Sequence, residues 1–423
     1  MAENYNFFER SASKFLSSFP VLKKTIKIIY QRITFLFYKK PFYFKSSCSF
    51  YSLHNEKESY FGYYDKSPLN SSLNHYLFCC TQEETTGKPS YNKQVEIVLQ
   101  AVNNAAIVKV FFSKAYNWQQ GCRAHWLNED LFFFNDFDAE NKKYISLVFS
   151  KDSLQEVRAF DFPVQDSYGT EFFLSLNYRR LMALRPDYGY SNLPVLNDTE
   201  LADTTNDGIW RIEYETGKSR LLVSLNDMCA VNYRSEFDTA VHKTNHVMIS
   251  PAGDKFIFMH RFFNKSKQRF DRLMLADSES GKLSCLADYG MVSHCFWADE
   301  NTVLGYLRGP GNKDAYWLID IHTGKFSHFG NGVLDKYGDG HPHVHGDWFV
   351  TDTYPDKARM QRLILANWKT GEVKELGEFF HGFKYDGETR CDLHPRFSPD
   401  GKSIYFDSVF DGKRRLYKLD LES

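Results

Sequence analysis

None of the eight cysteines forms a Cys-x-x-Cys pair; apart from the adjacent Cys79-Cys80 they are scattered at strand positions. That spacing excludes a zinc knuckle and points to reduced, buried thiols in preference to a disulfide framework. There is also no uncharged apolar run long enough to cross a bilayer and no secretory h-region with a small-residue cleavage site, so a cytosolic location is expected. The formal net charge is only -1, and its basic excess is confined to one short arm, which gives nucleic-acid binding no support. No α/β-hydrolase domain or Gly-x-Ser-x-Gly follows the repeats described below, so a propeller-linked serine peptidase is excluded as far as these residues go.

What the sequence does have is repetition. A unit of about fifty residues recurs seven times after residue 60, written most clearly as His394-Pro395-Arg396-Phe397-Ser398-Pro399-Asp400-Gly401 before the strand Ile404 to Phe406. Each copy has a turn followed by an apolar strand, such as Ser250-Pro251-Ala252-Gly253 before Phe256 to Met259, or Ser175-Leu176-Asn177 before Leu181 to Leu184. Several third strands end in a Gly hairpin, as in Thr323-Gly324-Lys325, where Gly supplies the positive φ of a tight turn. A unit that cannot bury its own apolar face must stack on its copies. Seven copies therefore predict an all-β fold, a seven-bladed β-propeller over residues 41–423, with a β-sandwich carrying accidental turns as the alternative. The last copy runs out after its third strand, and Pro41 to Phe50 is expected to close the ring as an N-terminal strand, which removes an open edge. Hydrophobic content of 43% is enough for a large core, and the 17% of aromatics suits strands first and a sugar-stacking surface second.

Residues 1–40 read as a basic amphipathic helical arm. Residues 1–45 carry nine Lys or Arg against two Glu, and Leu22, Ile26, Ile29, Ile33 and Leu36 form one helical stripe that Pro20 can begin. Lys23, Lys24, Lys27 and Arg32 flank the stripe, with Phe19, Tyr30, Phe35 and Phe37 among them. Such a helix suits an anionic membrane surface, here the inner face of the membrane, or equally packing on the propeller or on a partner.

Aligning the copies turns the repeat into a ruler. Four residues before each turn stand Tyr63, His125, Glu171, His246, His294, His343 and His394; five of these seven are histidines, although the chain has only 14. In a propeller this position lines the central channel. The loops after the second strands add Arg185, Arg261, Arg308 and Asp352-Thr353-Tyr354, so that imidazoles are ringed by guanidinium groups, a setting for an anionic ligand. Converging neutral imidazoles also bind Zn²⁺ or Mn²⁺, and His341-Pro342-His343 is the densest group. Any one of these histidines alone reads more readily as a structural, hydrogen-bonded residue.

The segments Arg390-Cys391-Asp392-Leu393-His394-Pro395-Arg396-Phe397, Asp339-Gly340-His341-Pro342-His343 and Thr351-Asp352-Thr353-Tyr354 resemble those of oligogalacturonate lyase-type propellers, polysaccharide lyases with TolB-like blades. The resemblance covers most of residues 60–423. It implies β-elimination at a uronate by a histidine base, an arginine and a divalent metal, Mn or Zn. It suggests His246 as the base with His125 as the alternative, Arg261 as the carboxylate clamp, and His294, His341, His343 and His394 as metal ligands. Arg185, Arg308, Tyr354, Tyr63 and Glu171 are then the candidates for contacting an anionic oligosaccharide or polysaccharide. The basic arm departs from enzymes of pectin breakdown and suits surface-glycan metabolism such as capsule or lipopolysaccharide assembly. Two other functions compete: a non-catalytic glycan-binding or scaffolding propeller at the membrane, and a glycoside hydrolase, for which Glu171, Asp65, Asp136 and Asp352 are the available carboxylates.

Overall fold

Alternation builds the blade strands. Along Lys143–Ser150 half-buried and buried residues follow one another in strict turn, whereas Phe172–Leu176 is buried at every position, as a strand covered on both faces must be. The computed structural model describes residues 20–421. It is a seven-bladed β-propeller made of seven antiparallel sheets in chain order, six of four strands and one, the sixth, of five. The blades span residues 58–113, 125–160, 166–224, 241–290, 292–328, 343–380 and 396–420. Aromatic rings fill the wedges between blades: Phe111 of blade 1 meets Phe132 and Phe149 of blade 2 at centroid distances of 5.3 and 4.6 Å.

The ring is closed by the N-terminal segment. Phe50–Ser52 pairs antiparallel with Arg415–Asp420 and completes blade 7. Pro41 to Phe50 thus supplies only the first residue of that strand. Upstream, Phe44–Ser46 adds to the outer edge of blade 6, with Phe44 opposite Phe379, so one short segment clasps two blades. A second clasp lies at the channel. Both oxygens of Asp407 in blade 7 accept backbone N–H groups of blade 1, from Phe61 at 3.0 Å and Gly62 at 3.1 Å, and Arg396 pairs with the same carboxylate at 3.2 Å.

Blade 3 corrects the sequence alignment. Leu181 to Leu184, expected as a strand, belongs to the helix Tyr178–Leu184, because the Asn177 side chain accepts the N–H groups of Arg179 and Arg180 and caps it. Asn serves turns and helix caps alike, so the sequence pattern could not tell them apart. The true second strand is Phe172–Leu176, and Glu171 stands exposed at the turn before it, away from the position the alignment gave it.

Helix α1 (Pro20–Tyr38) lies on the propeller. Phe35 packs against Phe380 and Phe383 at 5.8 and 5.4 Å, Arg32 sits over the Phe383 ring, and Lys40 just beyond the helix pairs with Glu378. The predicted stripe faces the other way. Ile26, Ile29, Ile33 and Leu36 are exposed, and Phe37 is 82% exposed. The arm before Pro20, Phe19 included, lies outside the described residues. Among the described residues no helix is long and apolar enough to cross a membrane.

Candidate active site in the propeller channel

The innermost strands are bent where they reach the channel. His246 and His394 both lie in the left-handed region, with φ of 54° and 44°, a conformation that costs a non-glycine residue energy and is typical of positions held for function. The ladder of blade 4 is interrupted between Asn245 and Met248, and that of blade 5 between Val292 and His294, so these side chains turn inward out of strand register. Gly340 permits the last approach: a Cβ there would lie 2.0 Å from the carbonyl oxygen of Asp352.

The result is a packed group of rings. His294 and His341 lie 3.9 Å apart by centroid, His341 and His394 4.3 Å, His246 and His294 5.6 Å, and Tyr63 and His394 5.1 Å. Two carboxylates order them. Asp352 accepts the backbone N–H of His341 at 2.8 Å and of His394 at 3.1 Å, and also bonds Nδ1 of His341 at 2.8 Å. Nδ1 of His394 bonds the Gly62 carbonyl, and Nδ1 of His294 lies 3.2 Å from Asp339. With Nδ1–H donated to an oxygen, a neutral ring keeps an unprotonated Nε2. For His341 and His394 that atom is buried without a partner, as is Oδ1 of Asp392, and the three side chains lie close enough to share one ion.

Electrostatics sets the protonation states. Burial would raise the Asp392 carboxyl, but Arg390 at 2.6 Å and the two neighbouring histidines hold it far below the usual range. Asp352, buried and facing that charge, is pushed up to about 7. Burial, and then the neighbouring histidine in each case, keeps His246, His341 and His394 neutral, with pKa values well below 6.5.

Cations surround His246. Arg185, Arg261 and Lys243 all act on it, and Tyr63 shares a hydrogen bond with its Nδ1. Arg261 is ion-paired to Asp271 but keeps a buried Nη1 without a partner. Arg185 lies over the Tyr188 ring at 4.6 Å and bonds Asp187 at 3.0 Å. Lys243 is fully buried, and burial followed by Arg261 and Arg185 holds its pKa well below 10.5.

Above the group opens a cavity of about 410 Å³ whose floor includes Ser293, Asp339, Tyr354 and Arg390. Each of the last three touches the rings or carboxylates beneath: Asp339 bonds His294, Arg390 bonds Asp392, and Tyr354 lies 5.8 Å from His341. Helix α1 forms one wall through Lys27, Tyr30, Gln31 and Thr34.

Of the residues singled out from sequence, the structure brings together His246, His294, His341, His394, Tyr63, Arg185, Arg261 and Tyr354. It does not bring the others to this group. His125 is held at both nitrogens, by the Arg123 carbonyl and Ser167 at 2.7 Å each. His343 turns between blades, 4.7 Å from Phe296, with Nδ1 accepting the Phe397 N–H. Arg308 pairs with Asp314 at 2.7 Å on the cavity wall, and Glu171 is at the exposed turn. Asp392, Asp339, Arg390, Tyr188 and Lys243 were missed. Asp392 carried a signal, since it stands two residues before His394 in a segment the sequence had already singled out.

No protein-family model matches the chain, and no curated protein matches it in sequence. Solved structures do match in fold. An oligogalacturonate lyase in complex with manganese aligns with a TM-score of 0.58 at 15% identity, covering 91% of this chain and 96% of that one. An oligogalacturonate lyase from Vibrio parahaemolyticus gives 0.58 at 14% identity, over 90% of this chain and 97% of the other. The chain thus shares the seven-bladed fold of the oligogalacturonate lyases.

Proposed function

We propose that the protein is a metal-assisted lyase that cleaves an anionic, uronate-containing oligosaccharide or polysaccharide by β-elimination. The observation that carries this reading is the grouping of His341, His394 and Asp392, whose ligand atoms lie within 4.8 Å of one another, while Nε2 of each histidine and Oδ1 of the aspartate are buried without a partner. Leaving such groups unpaired costs about 1–3 kcal/mol each, so the grouping calls for a ligand. Two imidazoles and a carboxylate suit Mn²⁺ or Zn²⁺, and His294 lies beside them as a further donor. An ion bound there would supply Lewis-acid polarisation of the uronate carboxylate.

The chain's own residues account for the rest. Arg390, Arg185 and Arg261 provide positive charge for the substrate carboxylate, which makes the proton on the adjacent C5 more acidic. His246 takes that proton on Nε2, which lies 3.4 Å from the Tyr63 hydroxyl, the shorter bond going to Nδ1. The C5–H electron pair becomes the C4–C5 double bond as the C4–O bond breaks, and the leaving oxygen takes a proton from water, His246 later returning its own proton to solvent. The low pKa of His246 is partly the work of its cationic neighbours, so an arriving carboxylate raises its basicity when it is needed. Incubation with a panel of uronate polysaccharides is expected to produce the ultraviolet absorbance of an unsaturated sugar. Glycan binding with no absorbance across the panel would leave a scaffolding propeller instead.

The same reading extends to location. The exposed stripe of α1 is flanked by basic residues, with no Asp or Glu between residues 20 and 45, which supports docking on an anionic lipid surface at the inner face of a membrane and a role in surface-glycan metabolism. Two copies packed stripe to stripe would bring these like charges together. The full chain is expected to co-sediment with vesicles containing anionic lipid and not with neutral ones, and Ile29→Asp with Ile33→Asp is expected to reduce that binding about tenfold or more. Equal recovery with both vesicle types, or a stripe-dependent dimer, would refute lipid docking.

A further inference from the structure

A second group of metal-binding side chains lies in blade 4, on residues that the proposed reaction does not use. His242 and His260 stand on the paired strands Val241–Ile249 and Lys255–Phe263, and Cys229 comes from the short helix Leu225–Ala230 that follows blade 3. Nε2 of His242 is held by the Phe237 carbonyl at 2.9 Å. That bond fixes the tautomer and leaves Nδ1 unprotonated, as when a ligating imidazole gives its other N–H to a backbone oxygen. This Nδ1 faces Nε2 of His260 at 2.9 Å and Sγ of Cys229 at 3.5 Å.

Tetrahedral Zn²⁺ with ordinary bond lengths places two nitrogen ligands about 3.3 Å apart and a nitrogen and a sulfur about 3.6 Å apart. The Cys229–His242 distance already matches, and the two histidines need to open by only about 0.4 Å. All three donor atoms lie within 4.8 Å of one another. The histidine pair is fully buried at His260 and nearly so at His242, and the thiol stands against the unprotonated Nδ1 that the two share. On its other side the group borders a cavity of about 320 Å³ lined by Cys229, His242, Asn226 and Asp238, which gives a fourth ligand, water, a way in.

We infer that Cys229, His242 and His260 form a zinc site with one solvent-facing position. By its place in the fold it fastens the exit of blade 3 to the inner strands of blade 4, and so steadies the strand that carries His246 into the channel. It differs from the channel group in chemistry, because only this one contains sulfur.

That difference makes the test selective without any change to the channel. Metal-stripped full-length protein titrated with Co²⁺ is expected to develop a thiolate-to-cobalt charge-transfer band in the near ultraviolet, saturating by two ions per chain because the channel takes up the other, and Zn²⁺ should abolish it. Cys229→Ser should lose the band while still binding metal in the channel; His260→Gln should weaken it at least tenfold. Circular dichroism of both variants checks that they fold. Absence of the band in the wild-type protein, or its persistence in Cys229→Ser, would overturn the assignment. Should Cys229→Ser fail to fold, the wild-type titration alone still decides, since no other cysteine is grouped with histidines among the described residues.

Discussion

Asp392→Asn is expected to lower the rate of uronate elimination by roughly a hundred- to a thousandfold and to lower the melting temperature as well, because it takes the counter-charge from Arg390. The side chain keeps its volume, so packing around His341 and His394 is preserved, but the carboxylate charge that would help hold the ion is gone. A second consequence follows from electrostatics. Asp352 is pushed up to about 7 by burial and then by the Asp392 charge, and without that charge its carboxyl should titrate lower. Metal content by elemental analysis, initial rates from the ultraviolet assay and the melting curve separate the effects. Loss of metal together with rate, in a folded protein, is the expected pattern. A variant that kept full rate and metal would show that the buried group is not the site. The same measurement on His343→Ala is informative in the opposite sense, because His343 lies between Phe296 and Phe397 and its loss should affect stability more than metal content.

Acid is expected to unfold the propeller well above the pH at which its carboxylates protonate. His125 and His381 are each 1% exposed, and burial, with nearby Lys66 and Arg123 in one case and Arg359 in the other, pushes both down to about 3. Their folded pKa lies below the unfolded value near 6.5, so the unfolded chain takes up protons first. Stability is therefore full above about pH 6.5 and falls as pH drops towards 3. By pH 5.0 each of the two has cost about 2 kcal/mol, before His246, His260, His341 and His394, shifted in the same direction, are added. Asp352 acts in the opposite sense, since its raised carboxyl favours the folded state in acid. Asp136, also raised by burial, acts the same way, but the two carboxyls stand against a larger number of imidazoles. Urea unfolding at pH 7.5, 6.0 and 5.0 should show the midpoint falling steeply while the denaturant slope stays constant. Equal midpoints at pH 7.5 and 5.0 would mean that these imidazoles are not held neutral by burial. Bound metal should blunt the decline, because His341 and His394 cannot then take up protons freely.

Much of the fold was legible because a propeller repeats. Seven turns at regular spacing, each followed by an apolar strand, leave few other ways to bury the surface. The same repetition located His246, His294 and His394, since one offset from each turn selects one position in the channel. It failed where a local device replaced the turn: Asn177 caps a helix, and the offset then selected Glu171 on an exposed turn. It also selected His125 and His343 correctly as inner-strand residues without revealing that both are tied to neighbouring groups.

The sequence by itself determined the number of blades, the closing of the ring by the N-terminal segment, and the gathering of histidines and arginines around one channel, because these follow from period and from residue type. Only the tertiary structure decided which imidazoles share a centre, since that depends on left-handed turns at His246 and His394 and on carboxylates brought from other parts of the chain. It also decided the orientation of helix α1. Amphipathic spacing fixes the two faces of a helix; which face meets the protein is set by the surface it lies on, and here the cavity wall takes the polar face and leaves the apolar stripe outside.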